Sequence, residues 1–301
     1  MLGIGGGGDV VGALATAEHL RIYSGADPVL GGVSWERRPI DPQPGPRAAA
    51  EIAGARELAP GVLLCTAATH VARSGVRFAE ARMAELLGAE TILIDPHPGP
   101  ATLALGLERA VAELGCDLVV FLDVGGDVLA RGDEPGLRSP LTDAVLFAAA
   151  ERVRAAGVPA LLAVFGTGCD AELTDPEVLG RVAEVAGAGG LIAARGLTPA
   201  VADQLRAAVD AVPTEASAMA LRAFEGRTGP VAIRGGERQF ALSLVAAITF
   251  FLDVEISYAV VGRLAQAVAG AGSLEAANEA LHALGVRTEL DLERDAAAAD
   301  G

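Results

Sequence analysis

Residues 118–127 read LVVFLDVGGD, the most apolar short run of the chain, closed by an acid, two glycines and a second acid. A strand that is apolar on both faces belongs in a sheet covered by helices on both sides. Four more runs share this character, at residues 61–67, 91–94, 160–165 and 190–193. Helical patterns lie between them and carry start and stop signals. Ser139-Pro140 opens one helix and Gly157 ends it, Thr174 to Pro176 and Thr198-Pro199 open two more, and Ser273 caps a late helix that Gly285 closes. This alternation predicts an α/β fold, a doubly wound, mostly parallel, Rossmann-like sheet with helices on both faces.

Gly235-Gly236 lies between two strand-like runs in residues 231–242 and predicts a β-hairpin. Residues 248–254 read as a further strand. The chain then divides into an α/β core over residues 1–212 and a C-terminal α+β portion over 213–294, packed as one continuous domain. The alanine–aspartate tail, residues 295–301, is expected to fray. The proline-rich stretch 36–47 follows Trp35 and holds Arg37, Arg38 and Arg47, which marks it as an ordered loop and not a linker.

Composition excludes several chemistries. The chain has 301 residues, 23 basic against 39 acidic, and a net charge of −16. Such a surface repels nucleic-acid phosphates, so no nucleic-acid partner is expected. All the basic residues are arginine, and no lysine occurs. That removes the P-loop, pyridoxal phosphate (PLP) and Schiff-base chemistry, and the protein-kinase fold, each of which needs a lysine. Three separated cysteines without a C-x-x-C pair, and four histidines without an H-x-x-x-H pair, argue against disulfides and structural zinc. No apolar run is long enough for a membrane span and no signal peptide is expected, so a cytoplasmic protein with no membrane partner is expected.

Three glycine–acid turns carry the candidate chemistry. The first is Gly3 to Asp9, where Gly5, Gly6, Gly7 and Gly8 can bring backbone amides to an anion at a helix start. It satisfies G-x-G-x-x-G, but hardly any strand precedes it and no acid closes a second strand at the usual distance. An NAD-type dinucleotide is therefore weakly supported, beside another ligand or a tight turn capped by Asp9. The second is Asp123-Val124-Gly125-Gly126-Asp127, whose paired carboxylates suit Mg²⁺, acid–base work or a cationic group. The third is Gly166 to Glu172, with Gly168, Asp170 and a candidate thiolate nucleophile, Cys169. His97, in Asp95-Pro96-His97, is expected on the same rim as a general base. Arg37, Arg38, Arg47, Arg131 and Arg138 are the cations available to balance these acids.

Taken together, GIGGGGDVVGALA at 3–15, WERRPIDP at 35–42, DVGGDVLA at 123–130, SPLTDA at 139–144 and GCDAEL at 168–173 resemble the family catalogued as domain of unknown function 1152. The resemblance extends to TEAS at 214–217 and TFFLD at 249–253. It implies no activity. It does imply that the glycine–acid turns are a shared surface and that Glu215 belongs with them.

The expected function is an enzyme, of transferase or hydrolase type, acting on a small phosphorylated or nucleotide-like metabolite. Asp123, Asp127 and Asp170 would hold Mg²⁺, the glycine loop and arginines would hold the anion, and His97 or Glu215 would move a proton. Two alternatives stay open: a non-catalytic binding or regulatory protein, and a metal-independent enzyme for a cationic amine or guanidino metabolite. A homo-oligomer also stays open. All of these require three distant turns to meet at one crevice.

Overall fold

A computed structural model describes residues 1–300; Gly301, the end of the tail expected to fray, lies outside them. The chain begins with β1 (Leu2–Gly3), α1 (Asp9–Ser24) and β2 (Gly31–Val33). An edge hairpin follows, β3 (Ile52–Ala59) and β4 (Val62–Val71), and then α2 (Ala79–Leu87) and β5 (Thr91–Ile94). The central units are α3 (Gly99–Leu114), β6 (Val119–Val124), α4 (Pro140–Ala155), β7 (Ala160–Phe165), α5 (Asp175–Gly187) and β8 (Leu191–Gly196). Helices α6 (Pro199–Ala211) and α7 (Ala216–Phe224) lead to the hairpin β9 (Gly229–Ile233) and β10 (Arg238–Leu242), and to β11 (Ile248–Asp253). The chain closes with α8 (Val254–Val261), α9 (Arg263–Val268), α10 (Leu274–His282) and α11 (Glu289–Asp300). Helix α11 therefore runs through the stretch expected to fray.

Nine strands form one sheet in the order β3-β4-β5-β2-β1-β6-β7-β11-β8, and β9–β10 form a separate antiparallel pair. The pairings make β4 and β11 the two strands that run against the others. Residues 61–67, read as one of the parallel strands, thus belong to the reversed strand β4. The reversal follows from the tight Pro60-Gly61 link between β3 and β4, which is too short for a crossover helix. Strand β11, from the C-terminal portion, is inserted between β7 and β8 of the core sheet.

The side-chain period of a strand explains the two-faced core. In β6, Val119 and Phe121 join the cluster that holds Leu107 of α3 and Val145 of α4. Val120, Leu122 and Val124 join the cluster with Leu14 of α1 and Leu205 of α6. Asp123 shares parity with Val119 and Phe121 and so belongs to the face that α4 covers.

Strand β1 is only two residues long, yet it is buried at the centre between β2 and β6. The chain leaves β1 toward β2 and leaves β6 toward β7, in opposite directions across the sheet. This is the point at which an open α/β sheet has a crevice outside the carboxyl ends of its strands. Trp35, two residues past β2, is fully buried and anchors the proline-rich loop. Among the described residues no helix is long and apolar enough to cross a membrane.

Candidate functional site

The loop after β1 is held mainly by its own chain. The amide of Gly5 donates to Asp9 Oδ2 at 3.0 Å, and that of Gly7 to the carbonyl of Trp35 at 2.8 Å. The Gly5 carbonyl accepts from Arg37 Nη2 at 2.6 Å and from Thr142 Oγ1 at 3.2 Å. Two of the amides that would cradle an anion therefore close the loop itself, and among the described residues those of Gly6 and Gly8 have no such partner. At Gly8 a Cβ would stand 2.3 Å from Thr214 Cβ, so only glycine lets the loop meet the segment ahead of α7.

The turn after β6 is built on Asp123. Its Oδ2 accepts from the amides of Gly126 at 2.8 Å and Val128 at 3.2 Å. Gly125 takes a φ of 138°, open to glycine alone, and a Cβ there would lie 2.4 Å from the Asp170 carboxylate. The turn after β7 is stitched to this one by Gly168 N donating to Gly125 O at 2.7 Å. Asp170 then accepts from the amide of Glu172 at 3.1 Å. Glu172 accepts from Ser139 Oγ at 2.7 Å and from Arg238 Nη1 at 3.1 Å, and also from the amides of Arg138 and Ser139.

Helix α4 adds the residue that the sequence did not single out. Pro140 starts the helix and Asp143 lies in its first turn. Asp143 is 1% exposed, and neither of its carboxylate oxygens has a hydrogen-bond partner.

These acids form two triads. One oxygen each from Asp123, Asp127 and Asp143 lie within 4.8 Å of one another, and so do those of Asp127, Asp170 and Glu172. Asp127 is common to both. Burial raises Asp123 to about 6 against the pull of the amides it accepts. Asp127, Asp143 and Asp170 are pushed well above the ordinary carboxylate range, first by burial and then by one another and by Glu172, Asp123 and Asp9. Asp9 is raised likewise, by burial and by Asp123. Without a bound cation such a group must hold protons, because like charges in a desolvated space oppose each other's ionisation. An all-oxygen set suits a hard divalent ion, Mg²⁺ or Mn²⁺, more than zinc.

The triads lie in a crevice of about 510 Å³, within the size range of small-molecule sites. Of the residues singled out from sequence, Gly5 to Gly8, Asp9, Arg37, Arg38, Asp123, Asp127, Asp170 and Glu215 all line it. Gly125, Gly126 and Gly168 do not line it but shape the turns that do. Glu215 is exposed and accepts from the amide of Arg234 at 2.9 Å.

Three candidates lie elsewhere. His97 follows β5, two strands from β1, and its Nδ1 pairs with Asp95 Oδ1 at 2.7 Å outside the crevice lining. Arg47 is buried against Asp41 Oδ2 at 2.9 Å, because the proline-rich loop uses it as its internal tie. Cys169 is fully buried in an apolar cluster, and desolvation, then Asp170 and Asp175, push its thiol well above the ordinary value. That environment opposes a thiolate nucleophile. Glu36 lines the crevice but turns its Oε1 to the amide of Ala79 at the start of α2.

Sequence reading missed Asp143, Arg234 and Glu289. Asp143 looks like an ordinary acid in a first helical turn. Glu289 is far away in sequence, yet its carboxylate accepts from the amides of Leu141 at 2.9 Å and Thr142 at 3.1 Å, fixing the start of α4. Arg234 shares one trait with Ala171: each is a non-glycine residue with positive φ, 52° and 59°, and each flanks the crevice. Backbone strain of this sort gathers at functional sites.

The model of the family described as "Protein of unknown function (DUF1152)" matches residues 1–297. No curated protein and no solved structure matches the chain.

Proposed function

The chain belongs to the DUF1152 family, whose name carries no activity, and we propose from the chemistry of the crevice that it is a divalent-cation-dependent enzyme acting on a small phosphorylated metabolite. The observation that carries this reading is Asp143. Leaving both oxygens of a carboxylate buried without a donor is costly unless a cation or a proton compensates. In this position a cation would also complete the set with Asp123 and Asp127.

A cation held there would polarise a phosphoryl oxygen or activate a water for attack. The amides of Gly6 and Gly8, with Arg37 and Arg38 in the same lining, would hold the phosphate. Transfer or hydrolysis of a phosphoryl-bearing group fits these parts. The amine and guanidino reading is disfavoured by the arginines at the mouth, which would repel a cationic ligand. Glu215, exposed in the lining, would carry the proton.

The test is Mn²⁺ binding followed by electron paramagnetic resonance, with orthophosphate release from a panel of phosphorylated metabolites measured beside it. Wild type should bind Mn²⁺ and release phosphate in a chelator-sensitive way, and Asp127→Asn should lose both. Mn²⁺ binding that survives Asp127→Asn, or turnover indifferent to chelator, would overturn the proposal.

A further inference from the structure

Beside the acidic triads lies a second, smaller cavity of about 180 Å³, continuous with the crevice through Arg37, Arg38, Ser139, Glu172 and Arg234. In a chain of net charge −16 its lining is inverted in sign. Arg37, Arg38, Arg138, Arg234 and Arg238 face Glu172, Glu289 and Glu293 across it.

The carboxylates there are already satisfied. Glu172 and Glu289 each accept from backbone amides and a hydroxyl. Glu293 accepts from Trp35 Nε1 and the amide of Gly45. Of the cations, Arg37 pairs with Glu289 and Glu293, Arg38 with Asp300 and Arg238 with Glu172, whereas among the described residues the exposed side chains of Arg138 and Arg234 make no hydrogen bond or ion pair. Arg234 takes a positive φ of 52° at the mouth. Two unpaired guanidinium groups in a cavity of inverted sign suit an anion.

We infer that this cavity is the subsite for a second anionic group, so that the substrate is a metabolite bearing a diphosphate or two neighbouring phosphates. One phosphate lies over the acidic triads and the other among Arg37, Arg138 and Arg234. Only the position of the first phosphate rests on the proposed cation centre; the arginine subsite stands on its own donors.

The experiment is isothermal titration with inorganic pyrophosphate and with orthophosphate, in chelator and in excess Mg²⁺. Wild type should prefer pyrophosphate in both conditions. Arg138→Gln and Arg234→Gln should each weaken pyrophosphate by about tenfold, the equivalent of one charge-assisted hydrogen bond, with unliganded melting unchanged. Mn²⁺ binding in these variants should equal that of wild type. Asp127→Asn should lose Mn²⁺ yet keep pyrophosphate binding in chelator, which separates a failure of the cation centre from a failure of the subsite. Pyrophosphate binding no tighter than orthophosphate, or unchanged in both arginine variants, would overturn the inference.

Discussion

The carboxylates of Asp127 and Asp143 approach to within 4.8 Å, buried beneath one crevice, although they come from a turn after β6 and from the first turn of α4. Neither oxygen of Asp143 has a donor. Two such groups can both be charged only with a cation between them; otherwise protons take its place.

That relationship gives the stability a defined pH dependence. Unfolded carboxyls titrate near pH 4. In the fold, burial raises Asp123 to about 6 and Glu36 to about 7, and Asp127, Asp143 and Asp170 rise as well. Between the unfolded and folded values the native state binds more protons, so stability falls as pH rises. The stability these protonated groups contribute is complete below about pH 4 and is lost as pH climbs through about 6 and 7. Thermal unfolding in chelator should show Tm dropping from about pH 5 to about pH 8, and saturating Mg²⁺ should flatten the slope. A Tm that is flat or rises over this range in chelator contradicts the account.

Asp143→Asn removes a buried carboxyl that folding obliges to hold a proton when no cation is bound. In chelator the variant should be more stable than wild type by about 1–2 kcal/mol at pH 8 and close to wild type at pH 5. It should also lose the rise in Tm that Mg²⁺ gives wild type. Urea unfolding at the two pH values, with and without Mg²⁺, measures both effects. A variant that Mg²⁺ stabilises as strongly as wild type would remove Asp143 from the centre.

Gly125→Ala should disturb the same centre from below. The new methyl would have to displace the Asp170 carboxylate, which lies 2.4 Å away, and would force alanine to a φ of 138°. A loss of about 2–3 kcal/mol in urea unfolding is expected, together with weaker Mn²⁺ binding. Wild-type stability and wild-type Mn²⁺ affinity would show that the turn tolerates a side chain.

Trp35 provides an intrinsic reporter. It is the sole tryptophan, fully buried, with Nε1 donating to Glu293 at 2.9 Å and the Arg37 guanidinium 4.2 Å from its ring centre. Because the field of a nearby cation tunes the indole, pyrophosphate reaching Arg37 should change Trp35 fluorescence, and Arg37→Gln should abolish the change. An equal response in Arg37→Gln would place the anion elsewhere.

Much of the fold was legible because β5, β6 and β7 are short apolar runs ending in glycine or aspartate, the mark of strands buried on both faces. Strand β3 was not, since Gly54, Arg56 and Glu57 interrupt its pattern at an exposed sheet edge. The place of β11 between β7 and β8 is a long-range pairing that no local pattern carries. In the site, Asp9, Asp123, Asp127 and Asp170 were found because each follows a strand or a glycine turn. Asp143 and Glu289 were not, because a helix start resembles capping whatever it faces. His97 does follow the carboxyl end of β5, but it lies outside the crevice lining because β5 is two strands from β1, a fact of strand order and not of sequence.

The most direct measurement is anomalous X-ray scattering from crystals grown in Mn²⁺. An anomalous peak bounded by Asp123, Asp127 and Asp143 is expected, and none in Asp127→Asn. Well-ordered crystals at saturating Mn²⁺ whose crevice carboxylates show no anomalous density would contradict it.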